Sequence, residues 1–408
     1  MPAIFFGAVL VTGSSVGGGM FSMPIVAAGM WFPWSLVCLC AIWMLSYAGG
    51  LIVLEAAMLF PRGASFNTIV KGLLGSKWNI ANGIGVVFLL YILMYAYLSA
   101  GGSIANHTIS ALTGGKSPLS QNLASVIFGL TIALVVWLGT GFASRVCSLL
   151  LAGMMLTFLL FSTRTFLHIE ISTLLGAQTD GGSNIRFAWA ALPYLLTSFG
   201  YASLVPSLVK FYGHEPGAIR HCILYGTLAC LTLYVLWLAS AFGTLGRAQY
   251  VPVIQAGGNM GQLVNALQQA TEGGDMRLLL GTFSNFAIIS SFLAVGISLF
   301  DYIADGIGFG DDSTGRLKTL LITFLPPILV CYLFPQGFIV AIGYAGLVMI
   351  FTYFIVPARM ALKIREEKIP APFTMNGGSG AIHALLAFSV VIGLSQILAM
   401  ADLLPVFP

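Results

Sequence analysis

Apolar segments of roughly 20 residues recur along the whole chain, and they restrict its fold more than any other feature. A helix of that length spans the hydrocarbon core of a bilayer, where every backbone hydrogen bond must be made within the protein. Hydrophobic residues make up 58% of the 408 residues and charged residues only 7%, against roughly 25% in soluble domains. The composition therefore predicts a protein whose main partner is the lipid bilayer.

About eleven membrane spans are predicted from hydrophobic length. They lie at 4–29, 33–59, 79–109, 122–140, 145–166, 188–212, 220–243, 277–304, 316–334, 337–360 and 381–403. Because the connections are short and polar, the sequence predicts a single transmembrane domain over 1–408. The stretch 258–275 is too polar to span and predicts a short surface helix, either capping the outer mouth or serving only as a connector. Its apolar face comprises Met260, Leu263, Val264 and Leu267.

Lysine and arginine positions predict the orientation, because cytoplasmic connections carry an excess of both. With the N-terminus in the cytoplasm, most of the 17 basic residues lie in inner connections. The inner residues are Arg62, Lys71, Lys77, Arg145, Lys210, Arg220, Arg316, Lys318, Arg359, Lys363, Arg365 and Lys368. The outer residues are Lys116, Arg164, Arg186, Arg247 and Arg277. The bias predicts a cytoplasmic N-terminus, and an odd number of spans places the C-terminus on the outer side.

Two spans contain interruptions near their centres. In the first span, the segment VTGSSVGGGMF places Gly13, Gly17, Gly18 and Gly19 where a regular helix is weakly favoured. The sixth span contains TSFGYAS at 197–203, flanked by prolines. Glycine also serves close helix packing in membranes, and one cluster alone would favour that explanation. Two clusters five spans apart favour discontinuous helices 1 and 6 instead.

Because five is odd, the two halves that contain these interruptions have opposite orientations in the membrane. The first repeat is 1–166, the second repeat is 188–360, and 381–403 is an accessory helix. This pattern is typical of an inverted-repeat transporter, whose substrate and ion sites lie near the membrane midplane at the broken helices.

At these residues the sequence resembles a known family. GSSVGGGMFSMP (13–24) is similar to the first-helix motif of the aromatic amino acid permeases, which are bacterial tryptophan- and tyrosine-specific carriers of the amino acid–polyamine–organocation superfamily. Further similar segments follow in order: LIVLEA (51–56), GASFNTIVKGLLG (63–75), LLYILMYAYLSAGGSI (89–104), TSFGY (197–201), VPSLVKFYG (205–213), FSNFAIISSFLAVGISLFDYIAD (283–305), GRLKTLLITFLPP (315–327) and FPQGFIVAIGYAG (334–346). The resemblance implies an all-α, leucine-transporter-like 5+5 inverted repeat plus an eleventh helix. It also implies uptake of tryptophan or tyrosine across a bacterial inner membrane, driven by a cation gradient, usually of protons, with a periplasmic C-terminus.

Two positions depart from the family pattern. In many relatives the residue matching Tyr201 is followed by His-Gly, whereas Ala202 and Ser203 follow here. Relatives often carry a lysine in the fifth span, which can act as the proton-responsive group, where this chain has Met154. Methionine does not titrate, so both Na⁺ and H⁺ are alternatives for the coupling ion. No other cofactor is expected.

The eighth span offers candidate ligands for Na⁺. Ala287, Ser290 and Ser291 resemble the set that binds a sodium ion in the leucine-transporter fold, together with carbonyls of the first break. Gly13 and Val16 stand at the matching positions of the first span. Hydroxyl and carbonyl oxygens suit such a cation. The alternative is that the serine hydroxyls bond back to their own helix.

An aromatic amino acid requires an apolar pocket with a few oriented polar groups. Backbone amides at 17–19 could hold its carboxylate, because a half-helix N-terminus offers N–H groups and a positive dipole end. The flanking aromatic residues could bound its ring or could be ordinary packing. The candidate substrate-binding residues are Gly17, Gly18, Gly19, Met20, Phe21, Tyr91, Tyr95, Phe199, Gly200 and Tyr201.

Acidic residues inside spans or at their ends are candidates for structural or coupling roles. Glu55 lies about one turn inside the cytoplasmic end of the second span, where a scaffold role is favoured over proton transfer. Asp301 and Asp305 lie where the eighth span meets the cytoplasm. They could form a gate or an ion pair with Arg316 or Lys318, or could be solvated charges.

The sequence carries no enzyme signature. The five histidines form no metal-binding motif, and neither a P-loop nor a nucleic-acid-binding pattern is present. The residues and the resemblance together predict a secondary active transporter that imports an aromatic amino acid by cation symport. The alternative is an uncoupled facilitator or channel-like pathway for an aromatic solute such as indole, which the loss of the lysine at Met154 favours.

Overall fold

The computed structural model describes residues 4–113, 119–166, 169, 171–175, 184–271, 273–310 and 312–407, and these contain helices and loops without β-strands. The first helices are α1 (Ile4–Ser15), α2 (Ser22–Ala27), α3 (Trp31–Ala57), α4 (Phe66–Leu74), α5 (Ser76–Leu112), α6 (Gln121–Trp137), α7 (Thr140–Phe166) and α8 (Ile171–Leu175). They are followed by α9 (Ala188–Thr197), α10 (Val205–Tyr212), α11 (Pro216–Thr244), α12 (Tyr250–Gln255), α13 (Met260–Ala270) and α14 (Gly274–Ile307). The last are α15 (Ser313–Leu333), α16 (Phe338–Met349), α17 (Val356–Glu366) and α18 (Gly378–Met400). Lys116, used above for orientation, lies outside the described residues.

Every predicted span coincides with apolar helix. In the described part of the chain, 9 helices are long and apolar enough to cross a membrane, and the bent pair Ile4–Ser15 and Gly18–Ala27 raises this to 10. α6 has 17 residues, so it is about 26 Å long, slightly shorter than the roughly 30 Å hydrocarbon core. The predicted class of all-α, multi-pass membrane protein is confirmed.

The polar stretch before the eighth span forms α13, as predicted. This helix begins after Asn259 with a capping box, in which the Gln262 side chain accepts from the Asn259 amide at 3.1 Å. The Asn259 side chain also donates to Ser99 Oγ of α5 at 3.2 Å. The predicted apolar face is buried, and its members are Met260, Leu263, Val264 and Leu267. The surface helix therefore packs on the third span with its apolar face and hydrogen-bonds to it through Asn259.

Helix contacts recur at equivalent places in the two halves. α1 packs along α11, while α9 and α10 pack on α3. α7 packs along α14, while α16 packs along α5. Contacts also join α3 to α11, α5 to α14, α6 to α15, α5 to α6 and α14 to α15. Each of these contacts has a counterpart between the spans five positions away in the chain. For example, the contact of span 1 with span 7 corresponds to the contact of span 6 with span 2.

The first span lies directly on the seventh because a glycine lines their contact. A Cβ atom at Gly226 would lie 2.5 Å from the Cβ atom of Val11 and 2.8 Å from the carbonyl oxygen of Ala8. The Thr12 hydroxyl donates to the Gly226 carbonyl at 3.1 Å. Gly226 therefore permits the close backbone approach that holds α1 in place just before its break.

We expect Gly226→Ala to destabilise the protein, because the added methyl group forces α1 away from α11. Overpacking of this kind costs about 1–3 kcal/mol, so the melting temperature of the purified protein in detergent should fall by several degrees. The matched control is Gly217→Ala in the same helix, where a Cβ atom would meet no heavy atom within 4 Å. A melting temperature of Gly226→Ala equal to that of the control would contradict the tight contact.

Candidate functional site

The first break separates α1 from α2 within the first span. α1 ends at Ser15, Gly17 is extended (φ −171°, ψ −159°), and a 3₁₀ turn over Gly18–Phe21 leads into α2. The last helical bond runs from the Val16 amide to the Thr12 carbonyl at 2.9 Å. The axis bends by 53° here. The predicted interruption of the first helix is therefore present in the fold, at the glycines.

The second break separates α9 from α10 within the sixth span. α9 ends at Thr197, and the Phe199 amide bonds to the Leu196 carbonyl at 3.0 Å. The Tyr201 amide then bonds to the Phe199 carbonyl at 3.0 Å, which replaces the helical pattern before α10 begins at Val205. The TSFGY motif thus coincides with this irregular backbone.

Tyr234 of the seventh span joins the two breaks. Its hydroxyl donates to the Ser15 carbonyl at 3.0 Å and lies within hydrogen-bonding distance of the Ser198 carbonyl. The Phe199 ring meets the Tyr234 ring edge-on, with centroids 5.2 Å apart. Both side chains are buried. Sequence reasoning missed Tyr234, because nothing in its apolar surroundings within the seventh span distinguishes it from a packing residue.

The eighth span meets the first break through a hydrogen bond. The Gly18 amide donates to Ser291 Oγ at 2.7 Å, and a Cβ atom at Gly17 would lie 2.5 Å from that same oxygen. Ser291 also interacts with the Tyr97 hydroxyl of the third span. A Cβ atom at Gly18 would lie 3.2 Å from the Tyr97 ring. At Gly17 and Gly18, side chains of spans 8 and 3 therefore leave no free space for a Cβ atom.

The other two glycines of the motif border open space. Cβ atoms at Gly13 or Gly19 would meet no heavy atom within 4 Å. The Gly19 carbonyl accepts from the Ser22 hydroxyl at 2.8 Å. Open space for at least a methyl group therefore lies beside Gly19, the residue after the one whose amide donates to Ser291.

The candidate sodium ligands divide into two groups. Ser290 Oγ donates to the Ala287 carbonyl at 3.2 Å, which is the bond back to its own helix that was expected as the alternative. Ser291 Oγ instead faces the first break. Val16 is buried and Gly13 is half-buried on the other side of the break. Among the described residues, no group of three or more His, Cys, Asp or Glu is arranged to hold a metal ion.

Met20 and Phe21 lie beside the first break in a buried aromatic cluster. The Phe21 ring lies 5.0 Å from Trp237 and 5.1 Å from Phe283, centroid to centroid. Phe158 of the fifth span lies 5.3 Å from Phe283. The Trp237 indole donates to the Met20 carbonyl at 3.0 Å. The cluster therefore ties spans 1, 5, 7 and 8 together at the site.

Tyr91 and Tyr95 of the third span bond to the ninth span and its end, and not to the first break. The Tyr91 hydroxyl donates to the Ile322 carbonyl at 2.7 Å, and the Tyr95 hydroxyl donates to the Phe334 carbonyl at 2.8 Å. Both acceptors belong to the ninth span or its end. Positions two apart on a helix point about 200° apart, so Tyr97, and not Tyr95, faces the first break. Tyr97 is therefore the aromatic residue of the third span that contacts the first break, whereas the hydroxyls of Tyr91 and Tyr95 bond to the ninth span and its end.

Tyr201 and Gly200 are engaged with neighbouring helices. The Tyr201 hydroxyl donates to the Ser46 carbonyl of α3 at 2.8 Å, and its ring lies against Gly50. A Cβ atom at Gly200 would lie 3.3 Å from the Met349 methyl group of the tenth span. Tyr201 therefore supports the second break from behind, whereas Phe199 lies on the side of Tyr234.

Glu55 is fully buried and paired near the end of the second span. Arg365 of α17 donates to both of its carboxylate oxygens, at 3.1 and 3.4 Å, and the Met375 amide donates at 2.9 Å. Arg365 also donates to the Met375 carbonyl at 3.2 Å. Its partners are a guanidinium and a loop amide, and not the backbone of a helix break. This arrangement favours the scaffold role that was preferred from the sequence.

The remaining candidates lie away from the breaks. Asp301 and Asp305 are exposed at the end of the eighth span. Arg316 donates to the carbonyls of Val136 and Trp137 at 3.2 and 3.0 Å. Met154 is buried in α7, the helix that packs along α14.

Comparison with known proteins identifies the family. Residues 1–396 match the tryptophan/tyrosine permease family. The chain belongs to this family. It is 42% identical over 406 residues to the tryptophan-specific transport protein of Shigella flexneri, covering 100% of this chain and 97% of that protein. It is 43% identical over 404 residues to the tryptophan-specific transport protein of Pseudomonas aeruginosa (strain UCBPP-PA14), covering 99% and 96%. It is 34% identical over 410 residues to the tyrosine permease of Enterobacter agglomerans, covering 100% and 98%.

Family membership confirms two predictions. The resemblance to the aromatic amino acid permeases is correct over the whole chain. The prediction of a permease and not an enzyme is confirmed as well, since these relatives are named as transport proteins and permeases.

We expect Tyr234→Phe in this family member to reduce the rate of aromatic amino acid uptake at least tenfold. The change keeps the ring against Phe199 but removes the donor between the two breaks, and a buried acceptor left unpaired costs about 1–3 kcal/mol. The measurement is the initial uptake rate per amount of monodisperse protein in proteoliposomes. Tyr225→Phe, at an exposed position of the same helix, is the control. A Tyr234→Phe rate equal to that of the control would show that the hydroxyl does not link the breaks.

Proposed function

We propose that this protein is a secondary active transporter that imports tryptophan or tyrosine across the bacterial inner membrane by cation symport. The observation that carries the proposal is the pair of broken helices, which Tyr234 joins and which Ser291 and Tyr97 border. Broken helices facing each other inside a membrane bundle form the substrate and ion sites of secondary transporters. The named functions of the relatives support the aromatic solute.

The proposed architecture is a leucine-transporter-like 5+5 inverted repeat. Residues 1–166 form the first repeat, 188–360 the second, and 381–403 the accessory eleventh helix. The helix contacts that recur between spans five positions apart support this division, because an inverted repeat requires equivalent contacts in both halves. Discontinuity of the first and sixth spans supports it as well.

The proposed orientation has a cytoplasmic N-terminus and a periplasmic C-terminus. α4 and α17 pack against each other, and they bring Lys71, Arg359, Lys363 and Arg365 to one end of the bundle. Concentration of basic residues at one end is typical of the cytoplasmic side. Arg186 and Arg247 lie together at the other end, over the ring of Phe187.

The substrate is proposed to lie between the two breaks. The amides of Gly17 and Gly19 flank the Gly18 amide, which donates to Ser291. We propose that these two amides bind the carboxylate, because the N-terminus of a half-helix carries a positive dipole end. Open space beside Gly19 supports this position. Phe199 is proposed to bound the ring on the side of the second break, because it is inside that break and its ring contacts Tyr234.

Counterflow in proteoliposomes loaded in turn with each of a panel of amino acids tests the solute and the site. We expect tryptophan or tyrosine to exchange in preference to aliphatic amino acids. Phe199→Ala should weaken the affinity for the aromatic solute about tenfold, because it removes one wall of the ring pocket. Phe211→Ala, at an exposed position of the same span, is the control. Unchanged affinity and unchanged aromatic preference in Phe199→Ala would show that Phe199 does not bound the ring.

The coupling ion is proposed to be Na⁺ or H⁺, with Na⁺ bound between the first break and the eighth span. The proposed ligands are the carbonyl oxygens of Gly13, Val16 and Ala287 and the hydroxyl oxygens of Ser290 and Ser291. For Ser290 to serve, its oxygen must bind the ion while its hydrogen stays on the Ala287 carbonyl, to which it donates at 3.2 Å. The buried, non-titrating side chain of Met154 supports Na⁺ over H⁺.

Gradients imposed one at a time on proteoliposomes separate the two ions. If Na⁺ couples, uptake should require external Na⁺, and Ser291→Ala should raise the half-saturating Na⁺ concentration several-fold. Ser298→Ala, an exposed serine of the same helix bonded back to Ala294, is the control. Full uptake in sodium-free vesicles under a proton gradient would exclude Na⁺ and assign H⁺.

An uncoupled facilitator for an aromatic solute such as indole is the second candidate. Loss of the family lysine at Met154 is the observation that favours it. Accumulation of the solute against its gradient would exclude a facilitator, whereas equilibration without accumulation under every imposed gradient would exclude symport.

A further inference from the structure

A cavity lies at the end of the molecule where the first and eleventh spans end. Its volume is about 370 Å³, which falls within the range of small-molecule sites. α2, α9, α16 and α18 contribute its walls. The lining is mainly apolar, with side chains such as Ile25, Ile339 and Met400, and it also includes the exposed side chains of Tyr344 and Asp402. The lining contains no residue of either helix break, so the cavity is separate from the proposed transport site.

One buried polar group in this cavity has an unmatched atom. The Gln396 side chain is only 1% exposed, and its Oε1 atom has no hydrogen-bond partner among the described residues. The Gln396 side chain forms a hydrogen bond with the hydroxyl of Tyr194, which also lines the cavity. The amide nitrogen of Gln396 lies on that side, next to Gly343. A buried amide oxygen left without a donor costs about 1–3 kcal/mol, so the position favours a ligand that supplies one.

The backbone of the tenth span is shaped to admit this pair. A Cβ atom at Gly343 would lie 2.5 Å from the Gln396 amide nitrogen and 2.8 Å from the Tyr194 hydroxyl. Glycine at that position therefore lets both side chains reach the cavity between α9, α16 and α18. Gln396 and Tyr194 are therefore packed between three spans.

The C-terminal segment completes the wall. The Phe407 ring meets the Phe187 ring edge-on at 5.7 Å, and the Arg247 guanidinium lies 4.5 Å from the Phe407 centroid. Arg247 is itself fixed by a hydrogen bond to the Gly29 carbonyl at 3.0 Å. Gly29 has no room for a side chain, since a Cβ atom there would lie 2.7 Å from Phe407 and 2.8 Å from Phe187.

We propose that this cavity binds a planar aromatic molecule of indole size, whose single N–H or O–H group donates to Gln396 Oε1. Apolar and aromatic walls suit a flat ring, and one buried acceptor suits one donor. Tyr194 connects the site to the second break, because the Thr197 hydroxyl donates to the Tyr194 carbonyl at 2.7 Å within α9. The site is distinct from the one through which the solute is transported, and its occupancy does not require transport.

Binding of 5-fluoroindole to the purified full-length protein in nanodiscs, followed by fluorine NMR, tests the proposal. Saturating tryptophan is included to fill the transport site, and empty nanodiscs correct for partition into lipid. We expect saturable binding that weakens at least tenfold in Gln396→Leu, which preserves shape but removes the acceptor. The N-methyl analogue of the probe, which lacks the donor, should bind at least tenfold more weakly to the unmodified protein. Ser395→Ala, whose hydroxyl bonds back to Ile392, is the matched control.

A second variant keeps the test decisive if Gln396→Leu fails to fold. Ala399→Phe places a ring in the cavity from its lining and should abolish the binding. Phe199→Ala, at the transport site, should leave it unchanged. Equal affinity in Gln396→Leu, in Ala399→Phe, or for the N-methyl analogue would overturn the proposal. Loss of binding in Phe199→Ala would also overturn it, because the probe would then occupy the transport site.

Discussion

Hydrogen bonding of the main chain inside the bilayer is the constraint on which the rest of this structure depends. A backbone group without a partner in hydrocarbon costs several kcal/mol, so a helix can be interrupted there only where other groups replace the lost bonds. At the two breaks the replacements come partly from local backbone bonds and partly from side chains of other spans. The Tyr234 hydroxyl serves carbonyls of both breaks, and Ser291 accepts from the Gly18 amide.

Continuous helices provide the fixed points that the broken helices need. α11 and α14 run through the bundle without interruption, and they carry Tyr234, Trp237 and Ser291 to the breaks. Gly226 lets α1 lie against α11 up to the break, and the aromatic cluster around Phe21 holds the segment beyond it. Hydrogen bonds to neutral hydroxyls are each worth only about 1 kcal/mol net, so a substrate carboxylate or a cation can exchange with them. This is a physical reason for placing a transport site at these positions.

The buried charged group Glu55 has its hydrogen-bond partners, whereas the buried neutral amide of Gln396 has an oxygen without one. The buried carboxylate of Glu55 is matched by Arg365 and by the Met375 amide, which ties α3 to α17 and to the loop before α18. Removing one member of such a pair leaves an uncompensated buried charge, which is far more costly than losing a neutral hydrogen bond. The end of the bundle that holds Glu55 is therefore firmly connected. Gln396 at the opposite end is neutral, so its unmatched oxygen costs much less free energy than an unmatched buried charge would.

The sequence by itself determined the fold class, the spans, the surface helix α13 and the family, because hydrophobic length, helical spacing and long collinear motifs are local properties of the chain. It also located both breaks, the first from its glycine cluster and the second from Gly200 between Pro193 and Pro206, because glycine and proline weaken a helix wherever they occur. Only the tertiary structure decided which side chains meet those breaks. Tyr97 and not Tyr95 faces Gly18, and Tyr234 joins the two halves, because these contacts depend on helix rotation and on spans distant in sequence. Likewise, Glu55 pairs with Arg365 across 310 positions, a separation that no local pattern encodes.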